Sequence, residues 1–305
     1  MRHRRLGRTG LELSEVTLGT MGLASPETDR AEAAATVALA LDRGVTGFEI
    51  DAGDRGAAEL LGEVFAREGA ARRVHVFARI TPLVRFDLPS PHVLVQQAYP
   101  GSHIRGQTEA LLATLGIERL ALQQLHAWCP EWLREGDWLE TMMRLRAEGK
   151  IAGCGVSLFD HDVDAPLEAV ASGAIDAVQA MLNVFDQGAI PALLPLCIAH
   201  DVGVIARSPL YYGALAGAAP RSDYFYDAHR RETARRVDRL AREIALPGET
   251  AADLALRFAL SHPAVTTVAV GARSRAHLAA DLHAFEQGPL EPARCAALAA
   301  HRWLC

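Results

Sequence analysis

The chain has 305 residues, with 31 basic side chains against 37 acidic ones, a formal charge of -6, and half its residues hydrophobic. That balance belongs to a soluble globular protein with a large core, and it argues against a general affinity for DNA, RNA or anionic membrane. Five cysteines, Cys129, Cys154, Cys197, Cys295 and Cys305, form no Cys-x-x-Cys pair, so neither a zinc cage nor a disulfide framework is expected. The opening Met1-Arg2-His3-Arg4-Arg5 lacks an apolar signal core, and charged residues interrupt every long apolar run. A cytoplasmic protein without membrane spans is the expectation.

Short β-branched runs alternate with amphipathic stretches along the whole chain. Strands are expected near Glu15–Gly19, Val45–Ile50, Arg73–Ala78, Leu120–Leu125, Gly153–Ser157, Ala177–Ala180, Gly203–Ala206 and Thr266–Val270. After the first of these, Ser25-Pro26-Glu27 reads as an N-cap for a helix carrying Ala35, Val37, Ala38 and Leu41 on its apolar face. The run Phe159–Asp164 has the composition of a metal site but reads better as a cap for the following loop and helix, and no metal is expected. The stretch from about Tyr211 to Asp227 reads as a loop over one mouth, and His229–Arg242 as a solvated helix face. Eight strands in about 260 residues, each followed by a helical stretch, match a (β/α)8 TIM barrel built as one domain over residues 1–305. The rival, a doubly wound sheet, would need a Gly-x-Gly-x-x-Gly turn after an early strand, and none is present.

In such a barrel, function gathers where strands end and the following loops begin. Those places hold Gly19-Thr20-Met21, Asp51 to Arg55, Arg79, His126, Ser157, Gln179, Arg207-Ser208 and Gly271 to Arg275. Here the chain resembles the aldo-keto reductase family, and does so over nearly its whole length. Arg5–Ser14 is similar to the family's N-terminal β-hairpin and Leu18–Gly22 to its first strand end. Gly155-Val156-Ser157, Gln179 with Asn183, Ile205–Leu210 with Gly213 and Leu215, and Gly271–Ser274 follow in the family's order.

The resemblance implies an α/β barrel with that hairpin in front and NADP(H) bound at its mouth beside Gly19, Thr20 and Met21. Ser157 and Gln179 would hold the nicotinamide amide, and Arg207 would pack by the ring. Ser208, Leu210 and Gly213 would follow the pyrophosphate, and Gly271, Arg273 and Ser274 would grip the adenosine 2′-phosphate. Two positions depart from the family: Leu158 stands for an Asn at the nicotinamide, and Asp281 for an Asn late in the adenine segment. Independently of any family, Arg273 and Arg275 at a helix start offer planar donors and free N–H groups to a phosphate.

The resemblance also implies a tetrad of Asp, Tyr, Lys and His, of which only the His survives, as His126. Alignment puts Ile50 at the Asp, Arg55 at the Tyr and Arg79 at the Lys. A guanidinium cannot release a proton at neutral pH, so Arg55 cannot replace the phenol. Arg55 and Arg79 would instead flank His126 with positive charge, lower its pKa and attract an anionic group on a small-molecule substrate. Asp51, one residue past the expected place, would reach Arg79 only through a local bulge. Three functions are open at this point: a specialised carbonyl oxidoreductase with His126 by the reacting oxygen, a non-redox lyase, isomerase or cyclase using Arg55, Arg79 and His126, and an NADP(H) sensor without catalysis.

Overall fold

His3–Arg5 (β1) and Glu12–Ser14 (β2) pair antiparallel across the short turn Gly7–Thr9 in the computed structural model, which describes residues 1–25, 27–84, 93–218 and 226–304. Eight parallel strands follow and close on themselves. They are Val16–Gly19 (β3), Gly47–Asp51 (β4), His75–Ile80 (β5), Leu120–His126 (β6), Ile151–Ser157 (β7), Ala177–Met181 (β8), Gly203–Arg207 (β9) and Val265–Gly271 (β10), with β10 completing the ring against β3. The helices between and after them are Arg30–Asp42 (α1), Arg55–Arg67 (α2), Val95–Ala98 (α3), Gly101–Leu115 (α4), Trp138–Ala147 (α5) and Leu167–Ser172 (α6). Leu193–Ala199 (α7), Asp227–Glu243 (α8), Ala251–Leu260 (α9), Arg275–Glu286 (α10) and Pro292–Leu298 (α11) complete the set. All eight strands expected from the sequence are present, and the fold is a (β/α)8 barrel behind a β-hairpin.

Helix α1 starts later than the Ser25-Pro26-Glu27 signal suggests. Its cap is Asp29, whose carboxylate accepts from the Glu32 N–H at 2.9 Å, while Pro26 lies outside the described residues. So do Cys305 and part of the expected Tyr211–Asp227 loop, residues 219–225. Among the described residues no helix is long and apolar enough to cross a membrane.

Successive side chains of a strand face opposite ways, so each barrel strand gives alternate residues to the lumen and to the helices. Phe48 and Ile50 on β4, Val76 and Ala78 on β5, and Val156 on β7 all belong to the large apolar cluster that the helices cover. The lumen positions change character along the barrel axis. Its lower half is apolar, with Phe77, Leu122, Ala177, Ile205 and Ala269, and the hairpin closes this end with Leu6 and Leu13. Gly203 makes room for that plug, because a Cβ there would come within 2.4 Å of Leu6 Cδ1. The upper half carries the polar side chains, so the sealed lower end leaves one mouth for chemistry.

Leu6 and Leu13 are fully buried, so a truncation there leaves a cavity that the rigid barrel floor fills poorly. Leu6→Ala is expected to lower unfolding stability by about 2–5 kcal/mol in a denaturant titration.

Candidate active site at the barrel mouth

β4 and β5 lie side by side, with Asp51 opposite Arg79. Glu49, two residues earlier on the same face, brings its Oε1 to 2.9 Å from Arg79 Nε, and each side chain is only 11% exposed. Taking two charges out of water costs several kcal/mol per ion before attraction repays it, so this pair is a costly feature for a barrel to keep. It forms one wall of a cavity of about 160 Å³ whose polar lining is Thr20, Ser25, Glu49, Asp51, Asp54 and Arg79. Asp51 Oδ1 accepts from the Gly53 N–H at 3.0 Å and from the Thr81 hydroxyl. Asp54 caps α2, its Oδ1 accepting from the Ala57 N–H at 2.9 Å.

Two sequence expectations need correction here. Ile50 is not at the acid's place: it is fully buried among the apolar residues outside the lumen, and Glu49 and Asp51 flank it on the lumen face. Asp51 therefore reaches the mouth without a bulge. Glu49 was missed, although counting back two residues from Asp51 finds it. Arg55 is not beside His126. It is the first residue of α2, its side chain is 87% exposed, and its Nε pairs with Glu59 at 2.8 Å. The helix start turns it outward, and the cationic cluster of Arg55, Arg79 and His126 is not assembled.

His126 ends β6 and its Nδ1 lies 3.1 Å from Ser157 Oγ on β7. Burial pulls its pKa down to about 3, and the charges of Arg79 and Arg207 add to that. Arg207, not Arg55, is thus the second cation acting on it. The ring is neutral at physiological pH, so it offers a hydrogen bond and not an acidic imidazolium proton. The Tyr99 hydroxyl donates to the His126 carbonyl and locks the loop behind it.

No described tyrosine takes the missing phenol's place. Tyr99 is spent on that carbonyl, Tyr211 OH shares a hydrogen bond with His229 Nε2 at 2.7 Å, and the Tyr212 hydroxyl donates to Asp160. None lines the cavity, and Tyr226 is exposed at the start of α8. Tyr224 lies outside the described residues.

The residues expected around a nicotinamide nucleotide ring the same mouth. Gln179 Oε1 accepts from Gln124 Nε2 at 3.1 Å, while Gln179 Nε2, fully buried, has no hydrogen-bond partner. A buried amide donor without an acceptor costs about 1–3 kcal/mol, so this one suits a ligand carbonyl such as a carboxamide. Leu158 cannot offer an amide side chain, but its carbonyl accepts from Arg207 Nη2 at 2.8 Å. Arg207 is also ion-paired with Asp160 at 2.6 Å. The run that looked metal-like therefore serves ion pairs, His161 Nδ1 lying 2.6 Å from Asp186. Among the described residues no group of three or more His, Cys, Asp or Glu is placed to hold a metal ion.

Ser208, Tyr211, Tyr212 and Gly213 all have positive φ, which winds the segment after β9 into consecutive tight turns around Leu210. Asn183 Nδ2 fastens it by donating to the Ser208 carbonyl at 3.2 Å. Beyond Gly271, Ser274 caps α10. Arg273 lies against Gly22, where a Cβ would meet its Cγ at 3.2 Å, and faces Glu27 at 3.5 Å. Arg275 is held firmly by Glu32, which takes its backbone N–H at 2.8 Å and its Nη2 at 2.9 Å. Gly19 backs Glu49, a Cβ there meeting Glu49 Oε2 at 3.2 Å, and Thr20 and Met21 continue onto the rim, Met21 being 78% exposed. Asp281 sits on α10, where burial and the charge of Asp253 on α9 push its pKa up to about 7.

Comparison with known proteins agrees with this fold. The model of the aldo/keto reductase family matches residues 15–302. The chain belongs to the aldo/keto reductase family. Relatives include the uncharacterized oxidoreductase YrpG of Bacillus subtilis (strain 168), 28% identical over 94% of this chain and 91% of that one. Another is a 6-dehydroglucose reductase of Novosphingobium aromaticivorans, 27% identical over 90% of this chain and 88% of that one. The holo form of aldo-keto reductase AKR11C1 from Bacillus halodurans superposes with a TM-score of 0.81 at 22% identity, covering all of this chain and 97% of that one, a likeness of fold.

In this aldo/keto reductase the His126 ring should remain neutral from pH 8 to pH 5, because its pKa is held near 3. Nitrogen NMR shifts of the labelled imidazole report this directly, and an ordinary titration near pH 6.5 would contradict the burial argument. Asp281 gives a second test. Its folded pKa is above the unfolded value, so the native state loses stability as pH rises from about 4 through 7, by about 4 kcal/mol in the limit. Asp281→Asn should therefore raise the melting temperature at pH 8 and change it little at pH 4.

Proposed function

We propose that this protein is an NADP(H)-dependent oxidoreductase acting on a small molecule held at the barrel mouth between Glu49, Arg79 and His126. The observation that carries the reading is the buried Glu49–Arg79 ion pair on the lumen ends of adjacent strands, close enough to His126 for the Arg79 charge to lower its pKa. A carboxylate and a cation there are what the family's Asp and Lys resemble, shifted to larger side chains.

Ser157 and Gln179 would hold the nicotinamide carboxamide, Arg207 would lie by the ring, and Ser208 to Gly213 would follow the pyrophosphate. Arg273, paired loosely with the exposed Glu27 at 3.5 Å, is the guanidinium best placed to exchange that partner for the 2′-phosphate. Bound there, the nucleotide supplies a hydride. Arg79, its charge balanced by Glu49, offers planar donors to the substrate atom that gains electron density, and neutral His126 orients it. Neither group is an acid at neutral pH, so ordinary aldehydes should turn over about 10²- to 10⁴-fold below a site with a positioned general acid.

Fluorescence titration with NADPH tests the binding half. Arg273→Ala is expected to weaken NADPH roughly tenfold, the scale of one charge-assisted hydrogen bond, and to leave NADH nearly unchanged. Arg79→Met should abolish turnover while the nucleotide still binds. Equal losses for NADPH and NADH in Arg273→Ala would remove the 2′-phosphate from the assignment.

A further inference from the structure

The cavity at the mouth combines an excess of negative charge with a lining that, among the described residues, holds no phenol or imidazole. Three carboxylates, Glu49, Asp51 and Asp54, face one guanidinium, Arg79, and His126 is neutral. Glu49 is nine-tenths buried, and its Oε1 has no aligned hydrogen-bond donor although Arg79 Nε is close. Asp51 and Asp54 spend only Oδ1 on the protein, Asp51 on Gly53 and Thr81, Asp54 on Ala57. Each Oδ2 is left for a donor on a ligand.

Carbonyl reduction suits such a wall poorly. Hydride addition to a ketone creates an alkoxide, a further negative charge among carboxylates, and requires a proton that no phenol or imidazole in the cavity lining supplies. A protonated imine has neither difficulty. It arrives as a cation that carboxylates attract, it donates an N–H, and its nitrogen keeps the electron pair when hydride arrives.

We infer that the site reduces small iminium ions. The claim rests on the nicotinamide-dependent reading above and names the substrate class within it. In the balanced step R₂C=NHR′⁺ accepts hydride from the reduced nicotinamide nucleotide. A C–H bond forms, the C=N π pair moves to nitrogen, and a neutral secondary amine leaves with the oxidised nucleotide; no protein proton is transferred. Asp51 and Asp54 bind the N–H and its charge, and Glu49 holds Arg79 back from repelling the cation. The cavity of about 160 Å³ limits the acceptor to a small ring or short chain.

The test pairs 2-methyl-1-pyrroline, protonated near neutral pH, with cyclopentanone, its near-isosteric ketone, using the full-length protein and NADPH. The imine is expected to turn over about 10²-fold faster or more, the factor assigned to a missing general acid. A second readout needs no turnover: 2-methylpyrrolidinium binding, measured by calorimetry, should weaken roughly tenfold in Asp51→Asn/Asp54→Asn. These substitutions keep both Oδ1 acceptors and replace each Oδ2 by an NH2 donor, removing the charge and the acceptor offered to the ligand N–H, so NADPH affinity should be unchanged. Equal or faster ketone reduction, or pyrrolidinium binding indifferent to the double substitution, overturns the inference while NADPH binding still supports the broader reading. Failure to bind any nicotinamide nucleotide overturns both.

Discussion

A strand in a closed barrel can give its lumen only every second residue, and this constraint governs the protein from floor to mouth. On β4 it sends Gly47, Glu49 and Asp51 inward and Phe48 and Ile50 outward. On β5 it aligns Phe77 and Arg79 one above the other, the first in the apolar floor and the second in the polar mouth. The carboxylate that meets Arg79 is therefore Glu49, and the meeting follows from the register of neighbouring strands.

The mouth then becomes an electrostatic problem with two partly buried ion pairs, Glu49–Arg79 and Asp160–Arg207. Each guanidinium is neutralised by its own carboxylate, so neither charge lies bare in a low-dielectric site. Both still act on His126, whose burial is the larger influence on its protonation. Among the described phenols, Tyr99, Tyr211 and Tyr212 are bound elsewhere, Tyr212 to the very Asp160 that anchors Arg207. What remains is a site rich in fixed charge and hydrogen-bond donors, with little capacity to deliver a proton.

Much of the fold was legible because its signals are local. The β-branched runs marked eight strands, and their spacing implied the barrel. Ser157, Gln179, Arg207 and His126 could be placed as strand-end residues for the same reason. Arg55 failed because a motif position does not say where a helix begins. Asp54 caps α2, and the helix then turns Arg55 toward solvent and Glu59. Asp281 shows the opposite limit: its place on α10 says nothing of the neighbouring Asp253 on α9, which contributes to holding its proton.

By itself, the sequence determined that this is a hairpin-fronted (β/α)8 barrel of the aldo/keto reductase kind. Hydrophobic period and short motifs suffice for that, since both are properties of contiguous residues. Only the tertiary structure decided that Glu49 partners Arg79, that Arg207 replaces Arg55 in acting on His126, and that the mouth carries more negative than positive charge. Those facts depend on strand register and helix starts, which bring together side chains far apart in the chain, and no local pattern encodes the distance between them.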